Sequence, residues 1–313
     1  MIPVGISACV LGQKVRFDGG HKQSRFAVDE LTRHFDFEPI CPEVGVGMGV
    51  PRPTIRLVNY GDEIRLQGSK DQSLDFTEQM NAFSERAIAR LAHLCGYILC
   101  SKSPTCGMER VPVYSESGKG HEKVGVGLFA HKLQQTMPWL PIEEDGRLND
   151  PVLRENFISR VYALYDLNQT FANGITAAAL FEFHARYKLM LLACDQQGYR
   201  ALGRMVAQFT LENSDQFFQT YRQAFMDCLA KRSSRKNNTN TLMHIQGYFK
   251  RQLDAQEKEE LANLIICYRK GDMPLLVPLT LINHYLKKYP NDYLQSQAYL
   301  RPYPETLRLR YGL

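Results

Sequence analysis

Three cysteines in the first third of the chain stand where chemistry is expected. Cys9 lies in Ser7-Ala8-Cys9-Val10-Leu11-Gly12, Cys41 in Cys41-Pro42-Glu43-Val44-Gly45, and Cys106 in Ser101-Lys102-Ser103-Pro104-Thr105-Cys106-Gly107. Each sits at or just beyond the end of an apolar run, beside Gly, Pro or Ser. In an α/β protein that is where strands hand over to loops and where ligands gather. Thiolates converging there suit an iron–sulfur cluster. The local Cys-x-x-Cys run common in such proteins is absent, so spacing alone does not separate a ligand from a small buried hydrophobe. Context favours ligands: Cys41 is followed by Pro42 and Glu43, and Cys106 by Gly107, in loops with little reason to bury a thiol. Cys95, Cys194, Cys228 and Cys267 lie in apolar helical settings and belong to the core. Cys100 ends a strand close to Cys106 and is ambiguous.

Three protein thiolates on four irons leave one iron open, a Lewis acid able to grip a soft substrate atom. Glu43 is then a carboxylate near that iron, available for proton transfer. Ser103 is placed to hydrogen-bond substrate or cluster. The blander readings are a solvated loop residue or helix N-cap for Glu43, and an ordinary Ser-Pro turn for Ser103.

These residues need an alternating β/α frame. Val4 to Val10 suits a buried strand ending at Cys9, and Gly19-Gly20 permits positive φ in the loop beyond it. A helix is expected over Ser24 to Phe35, then a strand from Phe37 to Cys41. A short hairpin follows, Ile55 to Val58 against Glu63 to Leu66. Asp75 opens a helix running to about Leu94, and Gly96 to Cys100 is the strand that delivers the third site. The Gly, Ser and Lys of residues 115 to 120 read as a mobile surface loop. A helix over Val126 to Gln135 and a strand at Leu140 to Ile142 complete the unit.

The acidic, turn-rich stretch Glu143 to Pro151 reads as the boundary between domains 1–145 and 146–313. Beyond it only helical spacing remains, over Val152–Leu167, Ala177–Ala193, Arg200–Ala207, Ser214–Ala230, Thr239–Leu253, Gln256–Lys270 and Leu279–Lys288. The expected fold is an α/β N-terminal domain, a small sheet flanked by helices, joined to an all-α C-terminal domain. A chain of 313 residues, 44% hydrophobic and 23% charged, accommodates two cores. No apolar run approaches the roughly 18 residues of a membrane span. Met1-Ile2-Pro3-Val4 resembles a first strand more than a signal peptide, so the expected location is the cytoplasm. Eight cysteines in such a chain are expected as free thiols. The net charge of +5 permits an anionic partner without demanding one. Candidate phosphate contacts in the second domain are Arg186, Lys188, Lys231, Arg232, Arg235, Lys236 and Lys250, interleaved with Tyr187 and Tyr248.

Four motifs in order resemble the thiouracil desulfidase family. They are Ser7-Ala8-Cys9-x-Leu11-Gly12, Arg16-x-Asp18-Gly19-Gly20, Cys41-Pro42-Glu43 with Gly47 and Pro51-Arg52-Pro53, and Lys102-Ser103-Pro104-x-Cys106-Gly107. That resemblance implies a 4Fe–4S cluster on Cys9, Cys41 and Cys106 and catalytic roles for Glu43 and Ser103. Arg186-Tyr187-Lys188, Tyr199-x-x-Leu202-Gly203, His244 to Lys250 and Pro302-Tyr303-Pro304 resemble the YbgA-like helical domain. The combination resembles desulfidases that act on tRNA, and implies a non-redox removal of sulfur from 4-thiouridine. Two other readings stand beside it. One is a desulfidase of free thiouracil or another small thiolated compound. The other is a non-catalytic protein whose metal only staples loops, with Cys100 closing the ligand set.

Overall fold

The computed structural model describes residues 1–61, 63–118 and 120–310. The chain divides into two compact units, Met1–Phe157 and Ile158–Leu313. In the first, β1 (Ile2–Ser7), β2 (Phe35–Ile40), β5 (Tyr97–Leu99) and β8 (Ile142–Glu144) form an all-parallel sheet in the order β2-β1-β5-β8. Val4, Ile6, Ile98 and Leu99 are completely buried, as expected of parallel strands covered on both faces. A second sheet runs β4-β3-β6-β7, from β3 (Ile55–Asn59), β4 (Ile64–Gly68), β6 (Val111–Ser115) and β7 (His121–Gly125). Its core is Leu57, Leu66, Val111 and Val113 against Met80 of helix α2 (Thr77–Ile88). A single turn, α1 (Pro42–Gly45), follows β2, and α3 (Leu128–Thr136) follows β7.

The expected single small sheet is therefore two sheets. The loop foreseen at residues 115–120 includes the turn of the β6–β7 hairpin. β7 carried no strand signal because His121 to Val124 are all solvent-exposed and do not alternate. The helix expected over Ser24 to Phe35 shrinks to one wide turn, Phe26–Glu30, and one tight turn, Leu31–Arg33. Phe35 is drawn into β2 instead, where it is buried. The last strand sits two residues later than expected and takes in Glu143 and Glu144. Both are buried with partners: Glu143 holds Arg147 at 2.6 Å, and Glu144 accepts the Met108 N–H at 2.8 Å.

The division of the chain falls inside helix α4 (Pro151–Thr170), and the second unit is helical throughout its regular structure. Its main helices are α5 (Ala177–Cys194), α6 (Gln196–Ala207), α7 (Ser214–Ala230), α8 (Arg235–Tyr248), α9 (Ala255–Lys270) and α10 (Leu276–Lys288). Their ends are written in the sequence: Thr176 caps α5, Asp254 and Glu257 form a capping box on α9, and Gly271 closes it at φ 97°. Phe183 and Tyr187 of α5 pack on Tyr221 and Phe225 of α7, with ring centroids 5.1 to 6.4 Å apart. Among the described residues no helix is long and apolar enough to cross a membrane.

Beside that aromatic core lies buried His184, its Nδ1 3.2 Å from the Tyr221 hydroxyl. Burial, helped by the Lys188 charge, lowers its pKa from 6.5 to about 4. The unfolded chain therefore takes up a proton that the folded domain refuses. Stability is full above pH 6.5 and falls as the pH drops through the window towards 4. At roughly 1.36 kcal/mol per pH unit the loss is about 2 kcal/mol by pH 5. Urea denaturation at pH 7 and pH 5, followed by circular dichroism, should give this difference in the native protein. His184→Gln should remove most of it.

Candidate active site

The parallel sheet places its chemistry at the carboxyl ends of its strands. Cys9 follows β1 by two residues, Cys41 follows β2 directly, Cys100 and Ser101 follow β5, and Asp145 follows β8. β1 has β2 on one side and β5 on the other, so successive connections leave it in opposite directions. Such a reversal opens a crevice beyond the strand ends. Here it is a cavity of about 660 Å³ lined by Cys9, Cys41, Cys100, Cys106, Glu43 and Ser103. All five residues expected to hold a cofactor or catalyse are thus brought together, with Cys100 beside them.

Cys41 is the residue before α1, with Pro42 pre-set for the first helical position and Glu43 in the first turn. Gly45 lets this turn lie on Phe83, since a Cβ there would come within 2.2 Å of the ring. Glu43 is held at both oxygens. Oε2 accepts from Arg52 Nε at 2.9 Å and also from Arg52 Nη2, and Oε1 accepts from Thr105 Oγ1 at 2.9 Å. The Arg52 side chain is only 4% exposed and also donates to the Val15 carbonyl at 2.9 Å. This is a forked, charge-assisted clamp.

The loop carrying Cys106 is built on Ser103. Its Oγ accepts the backbone N–H groups of Thr105 and Cys106 at 3.2 and 3.1 Å, and lies 3.0 Å from Thr105 Oγ1. With its lone pairs engaged, the Ser103 proton points to Thr105, whose own proton goes to Glu43. The result is a chain Ser103–Thr105–Glu43–Arg52 along the cavity wall. The start of α3 pins the same loop from behind: Ala130 N–H donates to Thr105 O at 3.1 Å and Gly127 N–H to Gly107 O at 2.8 Å. A Cβ on Gly127 would stand 2.5 Å from the Thr105 carbonyl carbon and 2.7 Å from Cys106 N. Gly127→Ala should therefore lower stability by about 1–3 kcal/mol, as overpacking does. Thermal denaturation checks this, and an unchanged melting temperature would show that the loop gives way freely.

Burial pushes the thiols of Cys41 and Cys106 above their ordinary pKa. Cys100 is raised first by its hydrogen bond with Cys9, then by burial. These three are therefore thiols at neutral pH until a metal ion displaces their protons. Ser7 Oγ accepts the Cys100 N–H at 3.0 Å and hydrogen-bonds the Cys106 sulfur. Opposite, Lys22 Nζ reaches Ser101 Oγ at 2.6 Å and Asp145 Oδ2 at 3.0 Å, adding a cation to the wall.

Sequence reasoning assigned no role to Arg52, Thr105, Lys22 or Asp145. Arg52 sat between two prolines inside a recognised motif, and Thr105 between two chosen residues, so both carried a signal. Lys22 and Asp145 are 123 residues apart and had none. In the second domain Lys188, Arg232, Lys236 and Lys250 are exposed and have no side-chain partner among the described residues. Lys231 is paired with Asp195 at 2.5 Å, and Arg235 donates to the Tyr268 carbonyl at 2.9 Å.

The 2-thiouracil desulfurase family matches residues 4–145, and the family described as protein of unknown function (DUF1722) matches residues 188–304. The uncharacterized protein YbgA of Escherichia coli (strain K12) is 39% identical over 159 residues, which is 50% of this chain and 94% of that protein. A solved structure, the [4Fe-4S]-dependent thiouracil desulfidase TudS, is 25% identical over 48% of this chain and 95% of its own, with a TM-score of 0.40.

Proposed function

We propose that this chain, which belongs to the 2-thiouracil desulfurase family in its first domain and to the YbgA-like DUF1722 family in its second, removes sulfur from 4-thiouridine in tRNA. The observation that carries the desulfidase reading is the cavity at the sheet's carboxyl end. Cys9, Cys41 and Cys106 line it together with the clamped Glu43.

Its donor set fits a cluster. Among the described residues no three His, Cys, Asp or Glu side chains converge as one metal ion requires. In a cluster the thiolates bind different irons, so they need to surround a volume and not a point. A 4Fe–4S cluster, held by these three cysteines, would supply a Lewis-acidic iron able to take a thiocarbonyl sulfur.

The protein's own groups do the rest. Glu43 is the base that takes a proton from water attacking the carbon that bears sulfur. Arg52 fixes the carboxylate plane, and Thr105 holds Oε1. Ser103 is a positioning residue: it orients Thr105 and locks the Cys106 peptide. Lys22 and Ser101 offer donors to a uracil oxygen. No electron leaves or enters in the sum; water replaces sulfide on one carbon.

The tRNA part of the reading is supported by the exposed cations Lys188, Arg232, Lys236 and Lys250, which are free to meet phosphates. Arg186, Lys231 and Arg235 contribute charge from positions already tied to protein partners. A base inside folded tRNA must also be turned out to reach the cavity.

The test is anaerobic reconstitution with iron and sulfide, followed by thiolated tRNA or free 2-thiouracil in parallel. The near-ultraviolet absorbance of the thiocarbonyl is the readout. Loss with thiolated tRNA is expected. Turnover of the free base alone would overturn the tRNA part, and turnover of neither would overturn the desulfidase reading.

A further inference from the structure

The second domain has a cavity of its own, about 500 Å³, with no cysteine in its wall. Tyr162 and Tyr165 reach it from α4, Arg186 and Tyr187 from α5, and Arg301 and Tyr303 from the segment after α10. Two motifs more than 100 residues apart in the sequence, Arg186-Tyr187 and Pro302-Tyr303-Pro304, are thus one wall.

That wall is built with unusual care for a surface hollow. The Gln297 side chain is buried, donates to Ala185 O at 2.8 Å and accepts from Leu189 N at 3.2 Å. Those two backbone groups are four residues apart on α5, so the amide spans one turn of that helix. Ala298 N–H adds a bond to Arg186 O at 3.0 Å. Gln297 and Ala298 thereby anchor the segment after α10 to the turn of α5 that bears Arg186 and Tyr187. Asp166 accepts the Tyr187 hydroxyl and stands 3.5 Å from Arg186 Nε. Arg186 Nε is nevertheless a buried donor without a hydrogen bond. Arg301 is exposed and has no side-chain partner among the described residues.

We propose that this cavity binds one nucleotide, its base against the rings of Tyr162, Tyr165 and Tyr303 and its phosphate on Arg301 and Arg186. Tyrosine faces stack on any base. The arginines of the wall suit a phosphate, and the amides of Gln169 and Gln295 beside them in the lining suit a base edge. The size lies within the range of about 300–1,000 Å³ typical of small-molecule sites. An aliphatic anion would leave the rings uncovered, and a neutral aromatic would leave Arg301 unanswered. The inference rests on the tRNA reading only in taking the nucleotide from an RNA strand. A free mononucleotide has the same chemistry, and the experiment separates the two sources.

The experiment is calorimetric titration of the full-length chain with uridine monophosphate, uridine, inorganic phosphate and single-stranded oligouridylate. Arg301→Gln and Tyr303→Ala are run alongside, with circular dichroism to confirm that both fold. Uridine monophosphate should bind at least about tenfold tighter than uridine or phosphate, the worth of one added charge-assisted contact. Arg301→Gln should weaken the monophosphate about tenfold and leave uridine unchanged. Tyr303→Ala should weaken both, as loss of stacking does. Tighter binding of the oligonucleotide than of the monophosphate assigns the site to an RNA strand; equal or weaker binding assigns it to a free nucleotide. Binding of neither, or folded variants that both bind like the native protein, would overturn the proposal. The titration needs no cluster and no turnover, so its outcome stands even if thiolated tRNA is not desulfurated.

Discussion

Glu43→Ala should abolish desulfuration and also destabilise the first domain, while Glu43→Gln should separate the two effects. Removing a general base costs about 10²–10⁴ in rate. Breaking a buried ion pair by deleting one partner costs about 3–5 kcal/mol, because the other charge is left without its counterion. Two features place the alanine variant at the low end of that range. Arg52 keeps its bonds to the Val15 and Gly49 carbonyls, and the Glu43 side chain is 15% exposed, so water can reach the vacated space. Glutamine preserves shape and an acceptor for Arg52 but cannot take a proton. It should cost less stability than alanine and leave the iron content unchanged. Its turnover should nevertheless fall as far as that of alanine. Iron per chain, urea denaturation and turnover of thiolated tRNA together give the answer. A glutamine variant with native iron content and native turnover would remove Glu43 from the chemistry and leave it as a clamp for Arg52.

The same clamp shows where sequence reasoning ran out. The convergence of Cys9, Cys41 and Cys106 on one cavity was legible because each stands at or just beyond the end of an apolar run, and a parallel sheet aligns such ends in space. Strand β7 was illegible because its residues bury almost nothing, leaving no alternation to detect. The wide turn at Phe26 looked like a helix because Phe26, Leu31 and Phe35 have nearly helical spacing. Only tertiary pairing decides that Phe35 enters β2. Glu143 and Glu144 looked like linker because their charge is visible in sequence, whereas Arg147 and the Met108 N–H, which make burial tolerable, are visible only in three dimensions. Gln297 is the extreme case: a surface-type residue 1% exposed, buried because it completes a helix turn more than 100 positions earlier. Polar residues that satisfy distant backbone leave no local pattern to find.

The four thiols around the first cavity carry the second large prediction. Cys9→Ala, Cys41→Ala and Cys106→Ala should each lose the cluster, while Cys100→Ala should keep both iron and turnover. The distinction decides the chemistry. An iron can polarise a thiocarbonyl only if one coordination position stays free, and a fourth thiolate would close the site and leave a structural centre. Cys100 is the one cysteine able to close it, because it lines the same cavity and its thiol hydrogen-bonds that of Cys9. Its backbone, however, is tied to the end of β1: Cys100 N–H is held by Ser7 Oγ as the chain leaves β5. Cys9, Cys41 and Cys106 instead stand in loops and turns beyond the strands. Alanine at position 100 removes only one sulfur from a buried site, so folding should survive, as thermal denaturation will show. Iron and acid-labile sulfide per chain, measured after anaerobic reconstitution, report the cluster independently of activity. If Cys100→Ala loses iron as completely as the other three variants, the site is closed and the Lewis-acid mechanism fails. If it keeps iron and still desulfurates, three cysteines hold the cluster and the fourth position belongs to the substrate.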